Sequence, residues 1–263
     1  MMRSEPIYKT FLEDIYQKYN SIEYIDTDPI FFPHAYEGNT EYVALTAAVF
    51  AYGNVKAIKG FIRSYLDYYG TDPLSAAKPS GGLYYRFQKK HDIEYYAELM
   101  RRLYGEYGSI EGIFSKRDTL EEGILLFHEL IKRYAADADT GLHFLFPNPV
   151  TSGSKRLRMF LRWMIRRDNV DFGIWTKFSP SELMMIIDTH ILRFAKNNGV
   201  ITNDSASRSN LEKVSSFFRS MNPEDPAKYD FALTRLGIVS GCKYMSSIAC
   251  GTCGHNESCI FRN

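Results

Sequence analysis

Residues 185–199 read MIIDTHILRFAKNNG. A nearly continuous apolar run, Leu183 to Ile187, meets Asp188-Thr189-His190, which opens a helix that ends at Asn198-Gly199. An aspartate in that position is ordinarily an N-cap: its carboxylate accepts the free amides of the first turn, where the helix dipole favours negative charge. His190 reads as a hydrogen-bonding residue at the helix start.

Upstream, residues 155–167 carry Lys155, Arg156, Arg158, Arg162, Arg166 and Arg167 with no acid until Asp168. Leu157, Phe160, Leu161, Met164 and Ile165 fall at helical spacing, which at about 100° per residue sets Lys155, Arg158, Arg162 and Arg166 on the opposite stripe. Thr151-Ser152-Gly153-Ser154 precede them as a small polar turn whose backbone amides, at a helix N-terminus, suit a phosphate. The spacing therefore predicts a basic face for nucleic acid through Ser152, Gly153, Ser154, Arg156, Arg158, Arg162 and Arg166, the alternative being a solvated charged face.

Downstream lie all four cysteines, Cys242, Cys250, Cys253 and Cys259, in the spacing C-x7-C-x2-C-x5-C. Short loops bring four thiolates together at little cost in chain entropy, and a tight cluster in a chain without secretory features points to a metal, not a disulfide framework. A structural zinc site usually draws on two C-x2-C knuckles, and only one is present. A 4Fe-4S iron–sulfur cluster tolerates the longer loops and is the leading expectation, with zinc second and His255 as an alternative ligand.

The remainder reads as helix. Val43, Ala47, Phe50 and Ala51 share a face before Gly53-Asn54, and Val55, Ile58, Ile62, Leu66 and Tyr69 form the next amphipathic run. Capping boxes are expected at Thr119/Glu122, Ser179/Glu182 and Ser209/Glu212, and Asp225-Pro226 is expected to open a last helix that Gly237 ends. No period-two run demands a sheet, so the fold class is all-α. With 263 residues, 45% of them hydrophobic and 24% charged, the chain is long enough for one large domain or two small ones. The balance of 32 Lys and Arg against 31 Asp and Glu excludes histone-like bulk binding while allowing a local basic face. No stretch approaches a membrane span and no apolar signal core follows the first residues, which predicts a cytoplasmic protein.

The stretch 185–199 resembles the segment that carries the catalytic aspartate in helix-hairpin-helix (HhH-GPD) DNA glycosylases of the endonuclease III type. That segment reads apolar run, Asp-Thr-His, apolar, any residue, Arg. The same superfamily often ends in a four-cysteine cluster loop with six, two and five residues between ligands, against seven, two and five here. EYVALTAAVFAYGNVKAIKGFIRSYL, residues 41–66, resembles the helix–turn–helix that opens that fold. The whole chain also resembles a bacterial family of unknown function grouped with this superfamily, and the likeness runs from Glu41 to Cys259. Two turns differ. The hairpin's usual Leu-Pro-Gly-x-Gly is replaced by residues 148–154, NPVTSGS, and a turn that is glutamine-bearing in many members is Tyr52-Gly53-Asn54.

The resemblance implies a two-lobed, glycosylase-like all-α fold. Residues 39–187 would form a helical barrel lobe with the hairpin-like turn and basic helix. Residues 1–38 and 188–263 would form the second lobe, with the cysteine cluster at 240–260. It further implies a monomeric base-excision enzyme acting on damaged, double-stranded DNA, with no membrane partner. Asp188 would stabilise the positive charge that builds on the sugar as the base departs. Lys155 would be the amine that forms a Schiff base if the enzyme is also an abasic-site lyase. Asn54, with Tyr52, would fill the gap left by the extruded base. Two other readings remain open on the same residues: a non-catalytic nucleic-acid-binding protein with an iron–sulfur or zinc centre, and a redox-sensing iron–sulfur protein.

Overall fold

The computed structural model describes residues 4–75, 81–135, 140–245, 250 and 259–261. Among the described residues the fold is all-α, with twelve helices and no strand. The first six are α1 (Glu5–Tyr19), α2 (Phe31–Ala35), α3 (Thr40–Val49), α4 (Val55–Tyr69), α5 (Lys90–Tyr107) and α6 (Ile110–Phe114). They are followed by α7 (Leu120–Tyr134), α8 (Thr140–Leu145), α9 (Lys155–Ile165), α10 (Thr189–Asn197), α11 (Arg208–Met221) and α12 (Asp230–Val239). Among the described residues no helix is long and apolar enough to cross a membrane.

Local chemistry accounts for most helix starts. Asn39 and Asn54 cap α3 and α4, each side chain accepting an amide at 2.9 Å, and Thr119 with Glu122 closes the expected capping box on α7. Four expectations shift. The Ser179/Glu182 box forms but holds only a short 3-10 turn, Pro180–Glu182. Ser207, not Ser209, caps α11, and residues 225–229 make turns ahead of α12. Gly237 lies inside α12, not at its end.

Apolar side chains fall into two clusters. One gathers α2 through α9, with Ile25 and Ile30 ahead of them. The other joins one face each of α1, α10, α11 and α12 to Tyr244, Ile260 and Phe261. Helices α3 and α9 pack together in the first cluster, and each is buried on all sides, from Glu41 to Val49 and from Leu157 to Ile165. A helix so enclosed must satisfy its polar side chains internally. Glu41 does so by accepting from the Tyr104 hydroxyl, the amides of Ile110 and Glu111 and the Trp175 indole, all within 2.9 Å.

After the 3-10 turn the chain runs extended through residues 183–187, threading between the clusters. Leu183 and Ile186 join the first cluster, whereas Met185 and Ile187 join the second. With Met184 also packed on the second cluster, the segment touches both clusters and delivers Asp188 to the junction. Helix α12 spans the same boundary: Phe231 packs with the first cluster, and Ala232, Leu233 and Leu236 with the second.

Candidate active site

At that junction lies a cleft of about 480 Å³, within the size range of small-molecule sites. Its walls bring together Asp188 and Lys155, with Ser152, Ser154 and Arg156 beside them. Residues more than thirty positions apart in the chain converge here because α9 and α10 both begin at the cleft.

Asp188 caps α10 as its position predicts. One oxygen, Oδ1, accepts the amides of His190 and Ile191 at 2.8 Å, while Oδ2 lies 3.4 Å from the Thr234 hydroxyl. The cap therefore occupies one oxygen and orients the carboxylate, and the side chain still lines the cleft. Capping and a chemical role are compatible on this geometry.

Lys155 is the first residue of α9 and is exposed. Before it, Ser154 adopts a left-handed conformation (φ 44°) and its hydroxyl makes no capping bond. The expected outward-pointing amides of residues 151–154 are not available. Those of Thr151 and Ser152 donate to the Asn148 carbonyl, that of Gly153 to Ala206 at 2.9 Å, and that of Ser154 to the Ser152 hydroxyl. A Cβ on Gly153 would sit 2.6 Å from Ile187, so the glycine lets the turn lie against the extended segment that carries Asp188.

The basic stripe of α9 is corrected by the structure. Arg158, Arg162 and Arg166 are buried, not solvated. Arg158 makes a bidentate pair with Glu121 at 2.7 and 3.1 Å. Arg162 lies between Asp171 and Asp230, and Arg166 between Asp168, Asp171 and Asp225. Carboxylates from α7, the 168–171 turn, the 225–229 turn and α12 supply the compensation absent from α9's own sequence. Arg156 is half-buried, with its guanidinium over the Tyr52 and Phe144 rings and a bond to the Val49 carbonyl at 3.1 Å. Of the six cations, Lys155 and Arg167 are exposed.

The residues expected to fill a base-stack gap are also engaged. Asn54 spends its Oδ1 on the α4 cap. The Tyr52 hydroxyl donates to the Tyr85 carbonyl while the Tyr85 hydroxyl donates to that of Tyr52.

Sequence reading missed two further residues of the cleft. Asp230 lines it, and burial pushes its carboxyl up to about 7. Arg162 opposes that rise, while Asp188, Asp28 and Asp171 add to it. Arg235, one turn and a half further along α12, pairs with Asp28 at 3.1 Å. The signal in the sequence is the polar residues Asp230, Thr234 and Arg235 interrupting an otherwise apolar helix.

His190 also lines the cleft. Tyr244 donates its hydroxyl to the Leu233 carbonyl at 2.7 Å, which leaves that oxygen to accept from the His190 Nδ1–H at 3.2 Å. Burial, then the charges of Arg193, Arg235 and Lys155, hold the imidazole below its ordinary pKa against the pull of Asp188. Here Gly237 finds its reason: a Cβ there would lie 2.2 Å from His190 Nδ1 and 2.3 Å from the Tyr244 hydroxyl.

Of the cysteines, Cys253 lies outside the described residues, as does His255. Cys242 and Cys259 both pack against the second apolar cluster, and the Cys242 sulfur accepts the Tyr244 amide at 3.3 Å. Among the described residues no three His, Cys, Asp or Glu side chains gather as a metal cradle.

No curated protein and no solved structure matches this chain. Residues 28–239, a span that includes all of the first cluster but Ile25, together with Lys155, Asp188 and α12, match one family model, and the chain belongs to that family, described as Protein of unknown function (DUF2400).

Proposed function

We propose that the chain is a DNA glycosylase with the two-lobed helix-hairpin-helix architecture, the cleft between its apolar clusters being the base-excision site. The observation that carries this reading is the convergence of Asp188 and Lys155 on one open cleft. As the C1′–N bond breaks, its electron pair leaves with the base and positive charge develops on the sugar. The Asp188 carboxylate, oriented by its cap, stabilises that charge, and water adds to C1′, its proton passing to the departed base. A fixed anion at the right place acts only as the charge appears, which is where binding energy becomes rate. In a lyase branch the amine of Lys155 would add to C1′ in place of water and form a Schiff base.

DNA contact falls to the exposed Lys155 and its surroundings, because the three interior arginines of α9 are held by carboxylates. Cys242, Cys250, Cys253 and Cys259 would hold a 4Fe-4S cluster, or zinc, clasping the C-terminal loop to the second apolar cluster. A binding protein without catalysis is the second reading, favoured by the ordinary capping geometry of Asp188.

The test is base release from duplexes carrying oxidised, deaminated or alkylated bases. Borohydride trapping of wild type and Lys155→Ala reports the lyase branch. Base release without a trapped adduct assigns a water-dependent enzyme. Duplex binding without release on any substrate supports the second reading.

A further inference from the structure

Asp230 is 5% exposed, and its two oxygens are treated differently. One, Oδ2, accepts from the guanidinium of Arg162. The other, Oδ1, is buried and has no hydrogen-bond partner. Two more buried, unpartnered polar atoms belong to residues of the same cleft: the Ser154 hydroxyl and the Nε of Arg235. Polar atoms left bare in an interior are costly, and native proteins keep few of them without a functional reason. Three such atoms on residues of one cleft favour a small polar ligand there, and the cleft is large enough to admit a heterocyclic base.

We propose that Asp230 is the recognition carboxylate of this cleft, its Oδ1 accepting an N–H from the polar edge of a bound nucleobase. The proposal rests on the glycosylase reading for the class of ligand. Asp188 is left free for chemistry at the sugar, so the two carboxylates divide the work. Asp230 is faced by Arg162 on α9, by Asp171, by Asp28, by Asp188 at the start of α10 and by Arg235 on its own helix. Three of those five are anions, so a proton is readily held on the oxygen that Arg162 does not occupy. Below neutrality the site then presents O–H instead of a lone pair, and its preference turns from a donor to an acceptor.

Arg162 makes Asp230→Asn a sharp test. A guanidinium only donates, so it holds the amide oxygen and leaves the amide nitrogen, a donor, in the place of Oδ1. The variant keeps the shape and reverses the polarity of one position. Equilibrium binding is measured by ligand-observed NMR, well above neutral pH, for two pairs of probes. The pairs are 9-methyladenine against 9-methylpurine, and 1-methylcytosine against 1-methylpyrimidin-2-one, each differing by one amino group. Wild type should favour the amino member of at least one pair by about tenfold or more, and Asp230→Asn should lose or reverse that preference. Asp188→Asn should retain it, and thermal melts should show both variants folded. The same preference in wild type and Asp230→Asn, or no binding of any probe to wild type, overturns the proposal. Because no base is released in this assay, its outcome is independent of the excision test.

Discussion

The buried ion network of α9 offers a quantitative prediction. Asp171 is 1% exposed in its side chain and serves two arginines, Arg162 at 3% and Arg166 at 4%. Its Oδ1 takes Arg162 and its Oδ2 takes Arg166. In Asp171→Asn the volume is unchanged, but the amide has one acceptor for two donors and no charge. Losing one partner of a buried pair costs about 3–5 kcal/mol, because the remaining charge stays out of water. Burial raises the Asp171 carboxyl above its ordinary range, so the ionised form already bears a desolvation cost, and Asp230, Asp168 and Asp225 remain for the arginines. The lower end, about 3 kcal/mol, is therefore expected, or roughly 5–6 °C in melting temperature for a protein of this size. Glu98→Gln is the control. Arg101 and Arg102 hold the Glu98 carboxyl down to about 2, yet the group is solvent-facing, and its loss should cost under about 1 kcal/mol. Urea unfolding of the two variants reads the difference directly. Equal, small losses would show that Arg162 and Arg166 are solvated, and would restore the basic stripe as a binding face.

Further expectations follow from the same geometry. Asp188→Ala should lose about 1 kcal/mol by urea unfolding, whereas Asp188→Asn, still an N-cap, should lose little, so the asparagine variant isolates chemistry from stability. For Asp230, the folded carboxyl at about 7 lies above the ordinary 3.8. The folded state holds the proton between those values while the unfolded chain does not, so this group's contribution to stability falls as pH rises through that window. The stability of wild type relative to Asp230→Asn should decline accordingly, and a flat difference there would mean that Arg162 keeps the carboxylate ionised. Gly237→Ala should displace His190 and Tyr244 and cost about 1–3 kcal/mol by overpacking, visible in the melt and in the His190 ring resonances. Protein purified without oxygen should absorb in the visible and lose that absorbance in Cys242→Ser; a colourless protein carrying zinc would assign the alternative metal.

Much of the helix pattern was legible because caps and apolar spacing are local. Thr119 and Glu122 meet within one turn, and Asp188 caps α10 with its neighbours' amides. The fate of the α9 arginines was not legible from α9, because their counter-charges come from Glu121, Asp171, Asp225 and Asp230, up to sixty-eight positions away. A stripe of cations opposite an apolar stripe reads as amphipathic only if one face meets water, and α9 has no such face between Leu157 and Ile165. Gly237 read as a helix stop because its local role and its tertiary role are written with the same residue. Asp230 went unremarked for a related reason: an acid in the first turn of a helix is ordinary, and only the cleft gives it a task.

The role of Asp188 is read most directly from base release on a panel of lesion-bearing duplexes by wild type and Asp188→Asn, with alkali revealing the abasic sites. Wild type should release base from at least one lesion, and Asp188→Asn should release none while melting and binding duplex as wild type does. Release by Asp188→Asn at the wild-type rate would contradict that role and leave Asp188 a helix cap alone.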